Sequence, residues 1–230
     1  MIISTFNIKN DFNYYNKNKS LEIFKYLRDN KIDVLGLQEV FYKCDKDLCK
    51  LIKNSYNMVG KYRFLFKLIH PTDNEKTPII TNKNIIESNT YRLPYYPSNL
   101  KRVMSHIVIQ DGEKEYSIYN THIESKILKV KEKQLDKIYE IISKDLRPKI
   151  LMGDFNLRDT DMLFEGFMNR LKMLDLSRVE INERTFKSEH DDKAIDHIFI
   201  SKEFKVVNTF VIKDLLISDH YPVIVEIREN

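Results

Sequence analysis

Acidic, amide and imidazole side chains recur at the ends of apolar segments in this 230-residue sequence. Asn7 follows the strand-like segment 2–6, and Gln38-Glu39 follows the largely apolar segment 34–37. Similar positions at other segment ends hold Asn120-Thr121-His122, Asp154, Asn156, Asp196 and Asp219-His220. Carboxylate and amide oxygens suit a hard divalent cation such as Mg²⁺, and imidazoles can move protons near neutral pH. These residue types therefore indicate metal-assisted attack by water.

Other ways of generating a nucleophile or binding a cofactor have no counterpart in the sequence. It contains no Gly-x-Ser-x-Gly elbow, no Walker-type phosphate loop and no Gly-x-Gly-x-x-Gly turn. The two cysteines, Cys44 and Cys49, lie close together without a third and fourth zinc ligand nearby, and we interpret them as reduced thiols.

Short apolar strands and amphipathic helices must position these residues. Helices are predicted at residues 20–30, with Ser20 as the N-cap, and at 45–54, 129–144 and 160–174. In the third helix we expect the lysines to lie in water. The predicted strands are residues 2–6, 33–37, 64–68, 78–80, 105–109, 116–120, 149–152, 195–200, 204–212 and 221–227. Hairpins mixed with helical crossovers favour an α/β (α+β) fold, in which two packed mixed β-sheets are flanked by helices. With no linker-like stretch, residues 1–230 are interpreted as one domain.

Composition limits the class of protein. The chain is 42% hydrophobic and 31% charged, which favours a globular protein over a disordered one. No apolar run reaches the roughly 20 residues of a membrane span, and the N-terminus does not read as a signal peptide. We therefore expect a cytoplasmic protein, monomeric and without an obligate protein partner. The net charge of +4 is compatible with a polyanionic substrate.

Taken together, six motifs resemble those of the endonuclease/exonuclease/phosphatase superfamily, and they occur in the family's order over nearly the whole chain. They are Thr5-Phe6-Asn7, Leu37-Gln38-Glu39, Asn120-Thr121-His122, Gly153-Asp154-Phe155-Asn156, Ile195-Asp196-His197-Ile198 and Ser218-Asp219-His220. Each motif alone is weak evidence for the family, but six motifs in the family's order are specific evidence. The resemblance implies a four-layer sandwich with its site at one edge of the paired sheets.

The resemblance also implies a role for each motif residue. Glu39 is similar to the family's principal Mg²⁺ ligand, with Asn7 and Asp219 supporting the metal site and Mn²⁺ a substitute cation. The implied catalytic residues are His122, Asp154, Asn156, Asp196 and His220. Of these, Asp154 and Asn156 orient water and bind phosphate, His220 is held by Asp196, and His122 stabilises the pentacovalent phosphate. Arg102 and Asn156 are predicted to contact the substrate phosphate. No partner for His122 is fixed by the sequence, although Glu75 is one candidate.

The substrate is less well defined than the chemistry. Residues 61–102 interleave cations and aromatic rings, which favours a nucleic acid substrate and DNA-binding activity. The segment from Gly153 to Asp159 resembles the tyrosyl-DNA phosphodiesterase branch, with Phe155 departing from its pattern. We therefore expect a nuclease or a DNA-end-processing enzyme, such as a 5′-tyrosyl-DNA phosphodiesterase. The alternative is a phosphatase or phosphodiesterase acting on a small molecule or a lipid headgroup of the phosphoinositide or sphingomyelin type.

Overall fold

Fourteen strands and four helices make up the part of the chain that a computed structural model describes, namely residues 1–9, 17–63, 74–96, 101–187 and 194–230. The helices are α1 (Lys17–Asp29), α2 (Tyr42–Ile52), α3 (Leu128–Ile142) and α4 (Met162–Lys172). The strands are β1 (Ile2–Asn7), β2 (Val34–Gln38), β3 (Val40–Phe41), β4 (Asn57–Val59), β5 (Glu75–Lys76), β6 (Ile79–Thr81), β7 (Asn84–Arg92), β8 (Val103–Asp111), β9 (Lys114–His122), β10 (Lys149–Asp154), β11 (Leu176–Arg178), β12 (Asp196–Ser201), β13 (Phe204–Val211) and β14 (Val223–Glu229).

Two mixed six-stranded sheets form the centre of the fold. The first has the order β13-β14-β1-β2-β6-β4, and β1 runs parallel to β2 and antiparallel to β14. The second has the order β11-β12-β10-β9-β8-β7, and β10 runs parallel to β9 and antiparallel to β12. A two-stranded pair, β3 and β5, stands apart from both sheets.

Alternating side chains along the strands divide the core into three apolar layers. In β10, Ile150 and Met152 pack against the facing sheet, whereas Leu151 packs against α3 and α4. On the first sheet, residues of α1 and α2 cover the outer face, where Leu27 and Leu48 join the cluster that contains Leu35. The order of layers is therefore helices, sheet, sheet, helices, which confirms the sandwich of two mixed sheets.

The structure differs from the predicted elements at several points. Helix α1 begins at Lys17, so Ser20 is not its N-cap but an inward-facing residue whose hydroxyl donates to the carbonyl of Cys44 at 3.4 Å. Strand β7 was not predicted, because as an exposed edge strand it carries polar residues on both faces and lacks an apolar alternation. The predicted strand at residues 64–68 lies outside the described residues.

Within the described ranges, none of the helices combines the length and apolar character needed to cross a membrane.

Candidate active site

Strand register places three of the predicted catalytic residues side by side in the second sheet. Asp154, the last residue of β10, is paired with His122 on one side and with Asp196 on the other. All three side chains are at least 98% buried. Sequence reasoning placed them at strand ends, and the sheet order makes those ends neighbours.

The first sheet delivers Asn7 and Glu39 to the same place. The side-chain amide of Asn7 donates to Asp154 Oδ2 at 2.9 Å and to Glu39 Oε1 at 3.2 Å. Glu39 follows directly after β2 and has a positive φ of 61°, a conformation that costs a non-glycine residue about 1–3 kcal/mol. This backbone turn lets its carboxylate face the second sheet.

A buried amide pair fixes the distance between the sheets beside the site. Gln38 of β2 donates to Asn120 Oδ1 of β9 at 2.7 Å, and both side chains are fully buried. The amide of Asn120 in turn donates to the carbonyls of Leu37 and Pro78 at 2.8 Å. At Gly36 a Cβ atom would lie 2.7 Å from Asn120 Oδ1, so a larger residue there would push the sheets apart. These residues are structural, and they hold the two halves of the site together.

His220 and Asp196 form a buried acid–base pair. His220 Nδ1 lies 2.8 Å from Asp196 Oδ2, and His220 Nε2 points to Asp154 Oδ2 at 3.8 Å. Burial alone would lower the pKa of His220, but the charge and hydrogen bond of Asp196 outweigh burial and raise it to about 10. His220 is therefore a cation at neutral pH, able to donate a proton from Nε2.

His122 is in the opposite charge state. Burial, followed by the charges of Arg102 and Arg63, holds the pKa of His122 well below its usual range. Arg102 Nη1 lies 2.7 Å from His122 Nδ1, and because a guanidinium can only donate, Nδ1 is the acceptor and the proton is on Nε2. That Nε2–H faces Asp154 Oδ2 at 3.5 Å.

Glu75, the candidate partner of His122, is linked to the ring through Arg102. Its Oε1 atom lies 3.2 Å from Arg102 Nη1 and 3.7 Å from His122 Nδ1, and it also pairs with Arg63. Arg102 is 94% buried, with its guanidinium between Glu75 and His122. A contact between Arg102 and a substrate phosphate remains a prediction. Its contacts with Glu75 and His122 hold the His122 ring on the side away from Asp154.

Asp154 is the centre of the site electrostatically as well as geometrically. Burial, followed by the nearby charge of Asp196, raises the pKa of Asp154 to about 6, while the charge of His220 and the amide of Asn7 act in the opposite direction. An acid with this pKa can accept a proton from water near neutral pH.

Asn156 lies at the mouth of the site in a constrained backbone conformation. Its φ is 48°, its amide N–H donates to Asp154 Oδ1 at 2.9 Å, and its side-chain amide donates to the carbonyl of Ile123 at 3.2 Å. Lys131 of α3 completes the arrangement, since its Nζ donates to the carbonyl of Asn156 at 2.7 Å.

Lys131 was missed by sequence reasoning, which placed the lysines of this helix in water. It is 92% buried. Its spacing of three residues from Gln134 and seven from Ile138 puts it on the buried face of α3, and that spacing could have identified it. Phe186 was also missed. Its main chain bridges to His220, and the two rings meet edge to face at 4.8 Å.

Asp219 is more exposed than the other acids of the site and pairs with a lysine. Its carboxylate pairs with Lys9 at 3.1 Å, and the side chain is 32% exposed. The neighbouring Ser218 hydroxyl donates to the carbonyl of Asn7 at 2.7 Å and receives the backbone N–H of His220 at 3.1 Å. The Ser-Asp-His motif thus anchors His220 to the end of β1.

The carboxylates of the site offer oxygen donors that suit a hard cation. Asp154, Asp196 and His220 offer ligand atoms within 4.8 Å of one another, and Asp196 Oδ1 is buried without a hydrogen-bond partner. A protonated His220 cannot be a ligand, which leaves carboxylates as the available donors. Glu39 lies next to this cluster, because it shares the side-chain amide of Asn7 with Asp154, and its carboxylate oxygens suit Mg²⁺.

A cavity of about 320 Å³ opens onto this arrangement. Its walls are formed by Ser125, Lys131, Asn156, Arg158, Asp161, Phe186, Ile195 and His220. The site thus contains a buried acid and a buried histidine with raised pKa values next to a cavity mouth lined by cationic side chains. This arrangement suits hydrolysis of an anionic ester.

Comparisons with known proteins also indicate a hydrolase that acts on phosphoesters. Residues 4–220 match the model of the Endonuclease/Exonuclease/phosphatase family, and the chain belongs to that family. The family's members are hydrolases that act on phosphoester bonds. No curated protein matches the sequence significantly.

Solved structures agree over the full length of the fold. An endonuclease/exonuclease/phosphatase from Bacteroides vulgatus is 20% identical with a TM-score of 0.81, covering 100% of this chain and 98% of that one. A mannosyl-6-phosphatase from Bacteroides thetaiotaomicron is 21% identical with a TM-score of 0.78, covering 99% of each chain. TDP2 from D. rerio, humanized by 14 mutations, is 17% identical with a TM-score of 0.77, covering 99% of this chain and 98% of that one. At these identities the likeness concerns the fold.

Proposed function

We propose that the protein is a Mg²⁺-dependent phosphodiesterase that hydrolyses nucleic acid by attack of water on phosphorus. The observation that carries the proposal is the convergence on Asp154 Oδ2 of three N–H donors from separate strands or loops. They are Asn7 Nδ2 at 2.9 Å, His122 Nε2 at 3.5 Å and His220 Nε2 at 3.8 Å. Asn7 donates a hydrogen bond to this carboxylate, and the two imidazoles face it at longer distances, where they can also face a phosphate.

In the proposed reaction Asp154 takes a proton from the attacking water while the new P–O bond forms. The bond from phosphorus to the leaving oxygen breaks, and His220 gives its Nε2 proton to that oxygen. Asp196 keeps His220 charged for this step. His122, neutral and carrying its proton on Nε2, donates a hydrogen bond to the phosphoryl oxygens as their negative charge grows.

Glu39 is the residue we propose to hold the cation, supported by Asn7 and with Asp219 at the rim, which leaves Asp154 free to act as the base. A divalent cation bound there supplies Lewis-acid polarisation of the phosphate and offsets its charge. Mn²⁺ has the same preference for oxygen ligands and is expected to substitute.

A nucleic acid substrate is supported by charge at the entrance. The chain has a net charge of +4, and Lys131 lines the cavity mouth together with Arg158, which pairs with Asp161 at 3.3 Å. The segment from Gly153 to Asp159 resembles the tyrosyl-DNA phosphodiesterase branch, so 5′-tyrosyl DNA is among the substrates that we propose to test. Much of the basic and aromatic segment at residues 61–102 lies in the structure, although residues 64–73 and 97–100 are outside its described part.

A second candidate is a phosphatase or phosphodiesterase that acts on a small phosphorylated molecule or a lipid headgroup. It is favoured by the likeness to a mannosyl-6-phosphatase of nearly identical length. The catalytic residues serve either substrate equally well, and the groups outside them decide the specificity.

A substrate panel tests the proposal. Purified protein with Mg²⁺ should hydrolyse bis(p-nitrophenyl) phosphate and at least one of single-stranded DNA, duplex DNA, RNA and 5′-tyrosyl DNA, and EDTA should stop the reaction. Activity confined to sugar phosphates, phosphoinositides or sphingomyelin would establish the second candidate instead.

Two variants test the residues. Glu39→Ala and His220→Ala should each reduce turnover of every substrate at least 100-fold, because each removes a group proposed to act in the transition state. Circular dichroism and a cooperative urea transition should show that both variants fold. Activity within threefold of the parent in either variant refutes its assigned role.

A further inference from the structure

A basic groove with two tyrosines lies beside the catalytic cavity. Its walls come from the loop after β7 and from the first turns of α3, and we name it the Tyr95–Tyr96 groove. It has a volume of about 380 Å³ and is lined by Arg92, Leu93, Pro94, Tyr95, Tyr96, Val130, Lys133 and Lys137. Three of these eight described residues are cations and none is an acid.

Lysine side chains lie over the tyrosine rings of the groove. Lys133 Nζ is 5.2 Å from the ring centroid of Tyr96 and 3.4 Å from its hydroxyl, and Lys101 Nζ is 5.0 Å from the ring centroid of Tyr95. Tyr95 is 47% exposed. An ammonium group beside an exposed ring supplies the two contacts that a nucleotide needs, a cation for its phosphate and a π-face for its base.

Not all of the groove's positive charge is available. Lys137 pairs with Glu140 at 2.7 Å and is partly neutralised. Lys133 points to Tyr96, and Arg92 is exposed at the end of β7. The positive potential of the groove therefore comes mainly from Lys133 and Arg92.

Helix α3 forms a wall shared by the groove and the catalytic cavity. The fully buried Gln134 donates to the carbonyl of Pro94 at 2.8 Å and accepts the backbone N–H of Glu124 at 2.8 Å. Lys131 faces the cavity and Lys133 faces the groove. Residues two apart on a helix point roughly 200° apart, so the cavity and the groove lie on different sides of α3. The Gln134 side chain connects them, because it bonds Pro94 at the groove and Glu124 next to the strand end that carries His122.

The floor of the groove is also tied to the catalytic residues. The backbone N–H of Leu93 donates to the carbonyl of Arg102 at 3.0 Å, and Arg102 contacts His122. The groove is thus held in a fixed position relative to His122.

We infer that the Tyr95–Tyr96 groove binds an unpaired stretch of nucleic acid next to the scissile phosphodiester. Bases stack on Tyr95 and Tyr96, and backbone phosphates contact Lys133 and Arg92. In a duplex the base faces are covered by neighbouring pairs, so a site built from tyrosine rings selects single strands or unpaired ends. This inference rests on the proposed function and specifies its substrate as single-stranded.

The test compares one long and one minimal substrate. The parent protein and the Tyr95→Ala/Tyr96→Ala double variant are assayed with Mg²⁺ on a 12-nucleotide single strand, as DNA and as RNA, and on bis(p-nitrophenyl) phosphate. Stacking of one base contributes roughly 5- to 150-fold in affinity. We expect kcat/KM on the better strand to fall at least 30-fold, mainly through KM, and activity on the minimal ester to stay within twofold.

Matched variants distinguish the loss of base stacking in the groove from a loss of activity that any surface substitution would cause. Tyr95→Phe/Tyr96→Phe keeps both rings and should retain strand activity within threefold. Tyr42→Ala removes a tyrosine that is 50% exposed on α2, away from the groove, and should change nothing. Lys133→Glu should weaken strand cleavage and reduce its salt dependence. A loss in Tyr42→Ala equal to that in the groove variants overturns the inference.

The outcomes distinguish the inference from the proposed function. If the parent hydrolyses the minimal ester but neither oligonucleotide, the nucleic acid part of the proposed function fails, and the inference fails with it. If the parent cleaves strands and the double alanine variant cleaves them equally well, only the inference is overturned. The inference alone is also overturned if the parent cleaves duplex faster than single strands and the double alanine variant loses the same fraction of both activities.

Discussion

Replacing Gly153 with alanine should destabilise the fold and inactivate the site together. Gly153 has a φ of 147°, which alanine rarely adopts, and a Cβ there would lie 2.8 Å from the carbonyl carbon of Thr121 and closer still to its oxygen. Ordinary contact between such atoms needs about 3.5 Å or more, so β10 would have to move from β9 by about 1 Å. Overpacking of this kind costs about 1–3 kcal/mol, and the backbone strain adds about 1 kcal/mol or more.

The expected loss is therefore about 3 kcal/mol, a large share of the 5–15 kcal/mol typical of a folded domain. Asp154 follows Gly153 directly, so the same shift separates Asp154 from His122 and should reduce kcat more than 10-fold in whatever fraction remains folded. Urea unfolding measures the stability, and hydrolysis of bis(p-nitrophenyl) phosphate measures the rate.

Gly166 provides the matched control. It lies inside α4, and no heavy atom beyond its own helix lies within 4 Å of the position a Cβ would take. Gly166→Ala should stabilise the protein by about 0.5–1 kcal/mol, since alanine is the better helix former. A Gly153→Ala variant that loses less than 1 kcal/mol and keeps full activity would show that the close approach of β9 and β10 is not required.

Three further variants probe charge and polar contacts. Asp196→Asn should lower the pKa of His220 from about 10, by removing the charge that opposes burial, and should reduce kcat about 10²–10⁴-fold; a pH–rate profile like that of the parent would contradict the pairing. Asn120→Ala should cost about 3 kcal/mol in urea unfolding, because it leaves Gln38 and two main-chain carbonyls unpaired in the core, and a loss below 1 kcal/mol would show that water replaces them. Burial lowers the pKa of His106 from 6.5 to about 4, so between these pH values the unfolded chain binds more protons than the folded one. The free energy of unfolding should therefore fall by about 2 kcal/mol as pH drops from 6.5 to 4, a figure discounted for partial exposure of the ring. His106→Phe should flatten this part of the stability–pH curve, and an unchanged slope would assign it to another group.

Most of the longer strands could be anticipated because their signals are local, whereas the order of strands in each sheet depends on pairing between distant segments and was not predicted. In β10 the unbroken apolar run of Ile150, Leu151 and Met152 indicates a strand that is buried on both faces, and the polar Asp154 marks the strand end. Edge strand β7 gave no such signal, since its residues are stabilised by hydrogen bonding to β8 and not by burial of alternate side chains. The strands β3, β4, β5 and β11 were missed because a run of two or three residues is too short to show the alternation of a strand.

The types of the site residues could be predicted, but their pairings could not. Arg102 was expected to face the substrate, and only the three-dimensional arrangement places its guanidinium between Glu75 and His122. The positive φ of Glu39 is likewise invisible in the sequence, because it depends on tertiary contacts that offset a local strain.

The two histidines show why such pairings decide function. His122 and His220 have the same side chain and approach the same oxygen of Asp154, at 3.5 and 3.8 Å. Burial, with the charge of Arg102 behind the ring, keeps His122 neutral, whereas the charge and hydrogen bond of Asp196 outweigh burial and keep His220 charged. A neutral imidazole can stabilise a growing negative charge without losing its proton, and a charged one can give its proton away. The proposed division of labour between the two therefore follows from the residue behind each ring, and exchanging those partners should exchange the roles.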